Sequence, residues 1–163
     1  MDKVYIAGTT KNPDVLDELS KDGTPHVRYC VASNTNTKPE TLDILSQDKN
    51  VYVRYLVALN PNTKPETLDF LSDDKSPDVR YRVARNPNTK QETLDVLSRD
   101  EDWSIRCRVA ENRSTKLETL DVLSLDEDSH VRCRVAQNLN CSERAYKYIK
   151  GLELLKSLSE VST

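Results

Sequence analysis

Glycine is nearly missing from this sequence: Gly8, Gly23 and Gly151 are the only three in 163 residues. A phosphate cradle needs several glycines in one loop so that backbone amides can close on an anion, and none can be built here. There is one Phe, one Met and one Trp, and no apolar run approaches the ~20 residues that span a bilayer. The opening stretch MDKVYIAGTT has neither a hydrophobic signal core nor a cleavage site. A cytoplasmic chain with no membrane partner is therefore expected. No nucleophile elbow or H-E-x-x-H occurs, and the carboxylates recur in rows instead of gathering in one cleft. The expectation is no enzyme, no small-molecule substrate and no cofactor. Cys30, Cys107, Cys133 and Cys141 lack C-x-x-C spacing, and His26 and His130 are far apart. No metal site is expected, and the cysteines read as free, partly buried thiols.

What is present is charge and repetition. With 36% hydrophobic and 31% charged residues and a mean hydropathy of -0.69, the chain is lean for a deep core. Disorder would explain the polarity but would not hold apolar residues in fixed register, whereas a thin solenoid buries only the seam between layers. The register exists. Arg28, Arg54, Arg80, Arg106 and Arg132 recur every 26 residues, as do Ala32 to Ala136, Asn34 to Asn138 and Leu16 to Leu120. Such a period marks a stacked array.

Each unit reads as two short helices. Thr37-Lys-Pro-Glu40, Thr63-Lys-Pro-Glu66, Thr89-Lys-Gln-Glu92 and Thr115-Lys-Leu-Glu118 fit a capping box, so a first helix is expected to begin at each threonine. It would run two to three turns and carry leucine pairs such as Leu68 and Leu71 on one face. A second helix, partly 3₁₀ at only two turns, occupies text like PDVRYRVAR and stops at Asn86-Pro87, with the asparagine in the left-handed cap conformation. Ile44, Phe70, Val96 and Val122 occupy a position held by Glu18 in the first unit. The expectation is that this position packs backwards onto the preceding layer, which the first unit lacks. Residues 1–23 then form an N-terminal cap or partial repeat, 24–138 the repeats, and 139–163 a capping helix and frayed tail. In that last segment Tyr146 and Ile149 replace the leucine pair, and Leu152, Leu155 and Leu158 cover the end.

At 100° per residue from Val79, Val83, Arg80 and Ala84 fall at about 40°, 100° and 140°, against about 200°, 240° and 300° for Tyr81, Arg85 and Arg82. The recurring letters should face the stack and the varying ones solvent. A recurring arginine at the edge of the buried side needs a partner, and the Asp17 to Asp121 and Asp22 to Asp126 rows supply carboxylates for a structural ladder. The asparagine row reads as caps and loop ladders. The varying positions run Tyr29-Cys30-Ser33, Tyr55-Leu56-Leu59, Tyr81-Arg82-Arg85, Cys107-Arg108-Glu111 and Cys133-Arg134-Gln137. Tyr and Arg are common interface anchors, so Tyr55, Leu59, Tyr81, Arg82, Arg85, Arg108 and Arg134 are the candidate partner-binding residues. The same tyrosines could instead stack to shield the seam. Trp103, in a loop between helices, reads as an exposed anchor or a staple on its own repeat. The five second-helix segments sum to +5 and the four intervening first-helix segments to -7, so one edge should be basic and the other acidic.

The text DVRYRVARNPNTKQETLDVLSRD resembles the leucine-rich repeat variant family through Asp78, Val79, Arg80, Val83, Ala84, Asn86, Pro87, Thr89, Leu94, Leu97 and Asp100. The resemblance covers about residues 5–138. It implies an all-α, right-handed α-solenoid of about five 26-residue repeats, each an α-helix plus a short or 3₁₀ helix, with terminal caps and kinship to HEAT-like solenoids. The chain departs in carrying an extra residue before the first-helix proline, as in Thr63-Lys64-Pro65, and in lacking the iron–sulfur cysteine cluster of some relatives. The family brings no common catalysis. A non-catalytic scaffold engaging another protein or an acidic peptide is the expected function. Binding of nucleic-acid phosphates by the arginine stripe is the second reading, opposed by a pI near 5.5.

Overall fold

The computed structural model describes residues 2–161 and, among them, twelve helices and no strand. First helices are α2 (Pro13–Leu19), α4 (Pro39–Leu45), α6 (Pro65–Leu71), α8 (Gln91–Leu97) and α10 (Leu117–Leu123). Second helices are α1 (Lys3–Thr9), α3 (Pro25–Ser33), α5 (Val51–Leu59), α7 (Pro77–Arg85), α9 (Trp103–Glu111) and α11 (Ser129–Gln137), and α12 (Glu143–Val161) closes the stack. Second helices pack on one another from layer to layer, whereas each first helix packs mainly on its flanking second helices. The core is therefore a seam: Val79, Val83 and Ala84 from α7, with Leu68 and Leu71 or Leu94 and Leu97 beside them, all fully or nearly fully buried. Each such leucine contributes about 1.5–3 kcal/mol of burial.

Several expectations need correction. The threonines do not cap the first helices. Lys38, Lys64, Lys90 and Lys116 occupy the cap position in extended conformation, without a side-chain cap bond. Each threonine sits one residue earlier, buried, and donates back to the end of the preceding second helix, as Thr63 Oγ1 does to the Val57 carbonyl at 2.5 Å. A carbonyl sealed inside the stack outranks exposed amides that water can satisfy. Second helices are α-helical over nine residues, seven in α1, with i→i+3 bonds only at their ends. Helices α3 to α11 of this row stop at asparagines in extended conformation, such as Asn86 at φ -70° and ψ 130°, and no described residue has the left-handed backbone. The following proline already removes Asn86 from helix space, so no left-handed turn is required.

The asparagine is nonetheless a ladder. Asn86 Nδ2 donates to the carbonyls of Ala58 at 2.8 Å and Asn60 at 3.2 Å in the previous layer, while its Oδ1 accepts from the Asn88 amide. The pattern repeats at Asn60, Asn112 and Asn138. The arginine row is a second ladder, and of the two aspartate rows it takes the later one. Arg80 Nε and Nη2 fork onto Asp100 at 2.7 and 3.1 Å, and Nη1 donates to the Asp74 carbonyl at 2.9 Å. Arg28, Arg54 and Arg106 make the same three bonds. Burial pushes the Asp48 and Asp74 carboxyls up, and the Arg28 and Arg54 forks with a loop amide each bring them back below the ordinary value. The earlier aspartate row instead accepts from the next layer's threonine, as Asp43 does from Thr67 at 3.0 Å.

At the N-terminal end residues 3–19 form a helix pair, α1 and α2, with Lys3 on Asp22 at 2.6 Å where later layers use arginine. The C-terminal end differs from expectation. In α12 the buried pair is Ala145 and Ile149, one α-helical turn apart, and Tyr146 is exposed. Leu155 is exposed rather than covering the last layer, and the Leu158 side chain and the expected frayed tail at 162–163 lie outside the described residues. Ile44, Phe70, Val96 and Val122 do not pack backwards; they stand in solvent. Trp103 is the first residue of α9, not a loop residue, and its ring lies 5.2 Å from His130 of the next layer rather than on its own repeat.

Candidate functional site

The candidate residues lie along one side of the second-helix row, half-buried more often than exposed. Second helices stack side by side, so the flanks at Leu56 and Cys107 are sealed by the neighbouring layer, and Tyr55 and Tyr81 pack against the core. Leu59 and Arg85 are exposed. The expected outward arc is thus narrower than the helical wheel implied, since a helix with neighbours on both sides keeps only a thin strip in water.

Within that strip the side chains form a column. The Arg82 guanidinium lies 4.5 Å from the Tyr55 ring centre and 5.6 Å from that of Tyr81, and Nη2 donates to the Tyr55 hydroxyl. Arg108 lies 4.9 Å over the other layer's Tyr81 ring. Cation–π contacts of this kind are worth about 0.5–2 kcal/mol each. Both Nε atoms, of Arg82 and Arg108, are buried without a hydrogen-bond partner, and the ring faces supply the compensating negative potential. Arg108 also pairs with Glu111, which in turn holds Arg134 at 3.0 Å. Arg85 stands apart from this chain of contacts. Tyr55 and Tyr81 do not stack on each other; the Arg82 guanidinium lies against both rings.

Burial first, then the Asp128 carboxylate, pushes the Cys107 thiol up to about 11, so it stays protonated at neutral pH. Burial also raises Cys30 and Cys141.

Set against solved structures, the chain is similar to one described as a leucine-rich repeat variant with a novel repetitive protein structural motif. The TM-score is 0.68 at 22% identity, covering 91% of this chain. This chain has the leucine-rich repeat variant fold. It spans 64% of the length of that structure, and at such identity the likeness speaks for the fold alone. The repeat variant's helix pairs explain why the two sides of the stack differ: one row is tight, the other open. No protein-family model and no curated protein matches the sequence. No described helix is long and apolar enough to cross a membrane.

The sequence reading missed a surface on the open side. Ile44, Phe70, Val96 and Val122 are 56%, 59%, 57% and 61% exposed, and Tyr148, one period on, is 47% exposed. The signal was present: a position that tolerates Glu18 in the first unit is one that water reaches.

Proposed function

We propose that this chain is a non-catalytic binding scaffold that engages a protein or an acidic peptide through the outward strip of its second helices. The observation that carries this reading is the Tyr55–Arg82–Tyr81–Arg108 column. Its cations and rings are ordered before any partner arrives, so little side-chain entropy is lost on binding. Leu59 and Arg85, exposed beside it, add an apolar and a charged contact. The five arginines that give the second-helix segments their +5 are the ladder arginines, so the cations left for an acidic partner are the exposed Arg85 and Arg134. Four unbridged cysteines suit a reducing, cytoplasmic setting.

Glu111 pairs with both Arg108 and Arg134, which sets a carboxylate in the middle of the arginine row. That weighs against a phosphate backbone as the ligand. The test is a titration of a labelled Glu-rich peptide containing aromatic residues against a duplex DNA of equal charge, on the natural chain and on Arg85→Glu/Arg134→Glu. The expected result is peptide binding that the double variant loses without a change in Tm. Tighter binding of DNA, falling steeply with salt, would replace this reading with the nucleic-acid one.

A further inference from the structure

We propose that the open side of the stack, the face of the first helices, is a docking track for a basic amphipathic helix of another protein. The surface is distinct from the second-helix strip and does not depend on it. Its floor is the exposed apolar row Ile44, Phe70, Val96, Val122 and Tyr148, one residue per layer and five layers long. Isolated exposed apolar residues are ordinary; a periodic row along an open face is a contiguous apolar strip.

The charge beside the row says what covers it. One turn before each floor residue, on the same helix face, stands a glutamate: Glu40, Glu66, Glu92 and Glu118. Immediately before each floor residue of these helices stands an aspartate of the Asp43 to Asp121 row. The seven residues of α4, α6, α8 and α10 each contain these two carboxylates and no cation. Lys64 and Lys90 take Glu40 and Glu66 at 2.5 and 2.6 Å, but Glu92 and Glu118 have no ion-pair partner among the described residues. Each aspartate from Asp43 to Asp121 uses one oxygen within the stack and leaves the other without an intramolecular bond among the described residues. An apolar floor rimmed by carboxylates selects lysine and arginine around apolar anchors and repels an anionic membrane surface.

Layer spacing sets the form. Thr67 on α6 bonds Asp43 on α4 at 3.0 Å, so successive first helices lie about 10 Å apart, which equals about seven residues of α-helix at ~1.5 Å each. Seven residues are nearly two whole turns, so a partner helix with an apolar residue every seventh position presents all of them to the floor. A β-strand covers the same step in about three residues and turns alternate anchors away. The rim reverses sign in the last layer. Arg144 and Lys147 stand where earlier layers have Glu118 and Asp121, and Arg144 lines the same cleft as Val122 and Tyr148. The partner's basic stretch therefore lies over α4 to α10 and stops short of α12.

The test uses the full chain and a labelled helical peptide of about 28 residues, with leucine every seventh position and lysine or arginine beside it. Controls are a scrambled peptide of the same composition and a proline-rich lysine peptide with an apolar residue every third position. The heptad peptide should bind and the controls should bind at least about tenfold more weakly. Phe70→Asp/Val96→Asp should weaken binding about tenfold or more even though it adds negative charge, because the floor is lost. These positions are exposed, so the variant should keep its helicity and Tm. Arg85→Glu/Arg134→Glu should bind the heptad peptide as before, whatever becomes of the second-helix reading. No binding by the heptad peptide overturns the proposal, as does equal binding of either control or indifference to the floor substitutions. Self-association of the chain that the same two substitutions abolish would also overturn it, since a second copy would then be the occupant.

Discussion

The Arg80 guanidinium forks onto Asp100, one layer on, at 2.7 and 3.1 Å, with side chains only 14% and 7% exposed. Arg132, at the end of the same row, donates to the carbonyls of Asp126 and Glu127 and has no carboxylate to fork onto among the described residues. The contrast separates a charge that holds layers together from one that merely ends the row. Arg80→Met leaves the Asp100 carboxylate half-sealed and unpaired and should cost about 3 kcal/mol. Arg132→Met strands no carboxylate and should cost about 1 kcal/mol or less. Urea unfolding of the two variants reads the difference directly.

Acid should weaken the stack in a defined window. The Asp48 and Asp74 carboxyls titrate below their ordinary value, and Asp22, hydrogen-bonded by Lys3, is held at about 2. A carboxylate depressed in the folded state stabilises fully above the unfolded pKa of about 3.9 and ceases to do so as pH falls through the folded value. Tm should therefore change little from neutral pH to about 5 and drop below about 4, and Arg54→Met should make that drop shallower. A Tm that climbs on acidification from pH 5 to 3 contradicts the assignment.

Asn86 serves three backbone groups at once, two carbonyls of the previous layer and the Asn88 amide. Asn86→Leu keeps the branched shape and strands all three, at a cost of about 2–4 kcal/mol. Asn86→Asp should be at least as damaging, because an acceptor would then face the Ala58 and Asn60 carbonyls. Chemical denaturation of both variants checks the order.

The threonine before each first helix is expected to matter and the glutamate after it is not. Thr63→Val removes the donor to the buried Val57 carbonyl and should cost about 1–2 kcal/mol. Glu66→Ala breaks only an exposed pair with Lys90 and should cost less than about 0.5 kcal/mol. Equal losses at both positions would restore the capping box.

How much of this was legible depended on whether a residue's role was set by its own turn or by the next layer. Periodicity exposed the helix pairs, the buried Leu68 and Leu71, and the arginine and asparagine ladders, because each repeats with the same geometry in every layer. Cap chemistry misled at Thr63: the capping box is a local pattern, and the buried Val57 carbonyl that claims the hydroxyl belongs to the preceding helix. The wheel placed Arg82 and Cys107 in solvent because it treats a helix as isolated, whereas α7 and α9 have neighbours on both flanks. Phe70 was assigned inward because it is apolar, while the openness of the first-helix row is a property of the stack and of no single unit.

The central claim is that the recurring arginines connect the layers and are not a ligand site. A double-mutant cycle between Arg80→Met and Asp100→Leu tests it most directly. A coupling of about 2 kcal/mol or more, with the double variant less damaged than the sum of the singles and peptide binding intact, is the predicted result. Coupling near zero, with Arg80→Met abolishing ligand binding while stability holds, would show that the row faces a partner and that the partition between scaffold and surface is drawn in the wrong place.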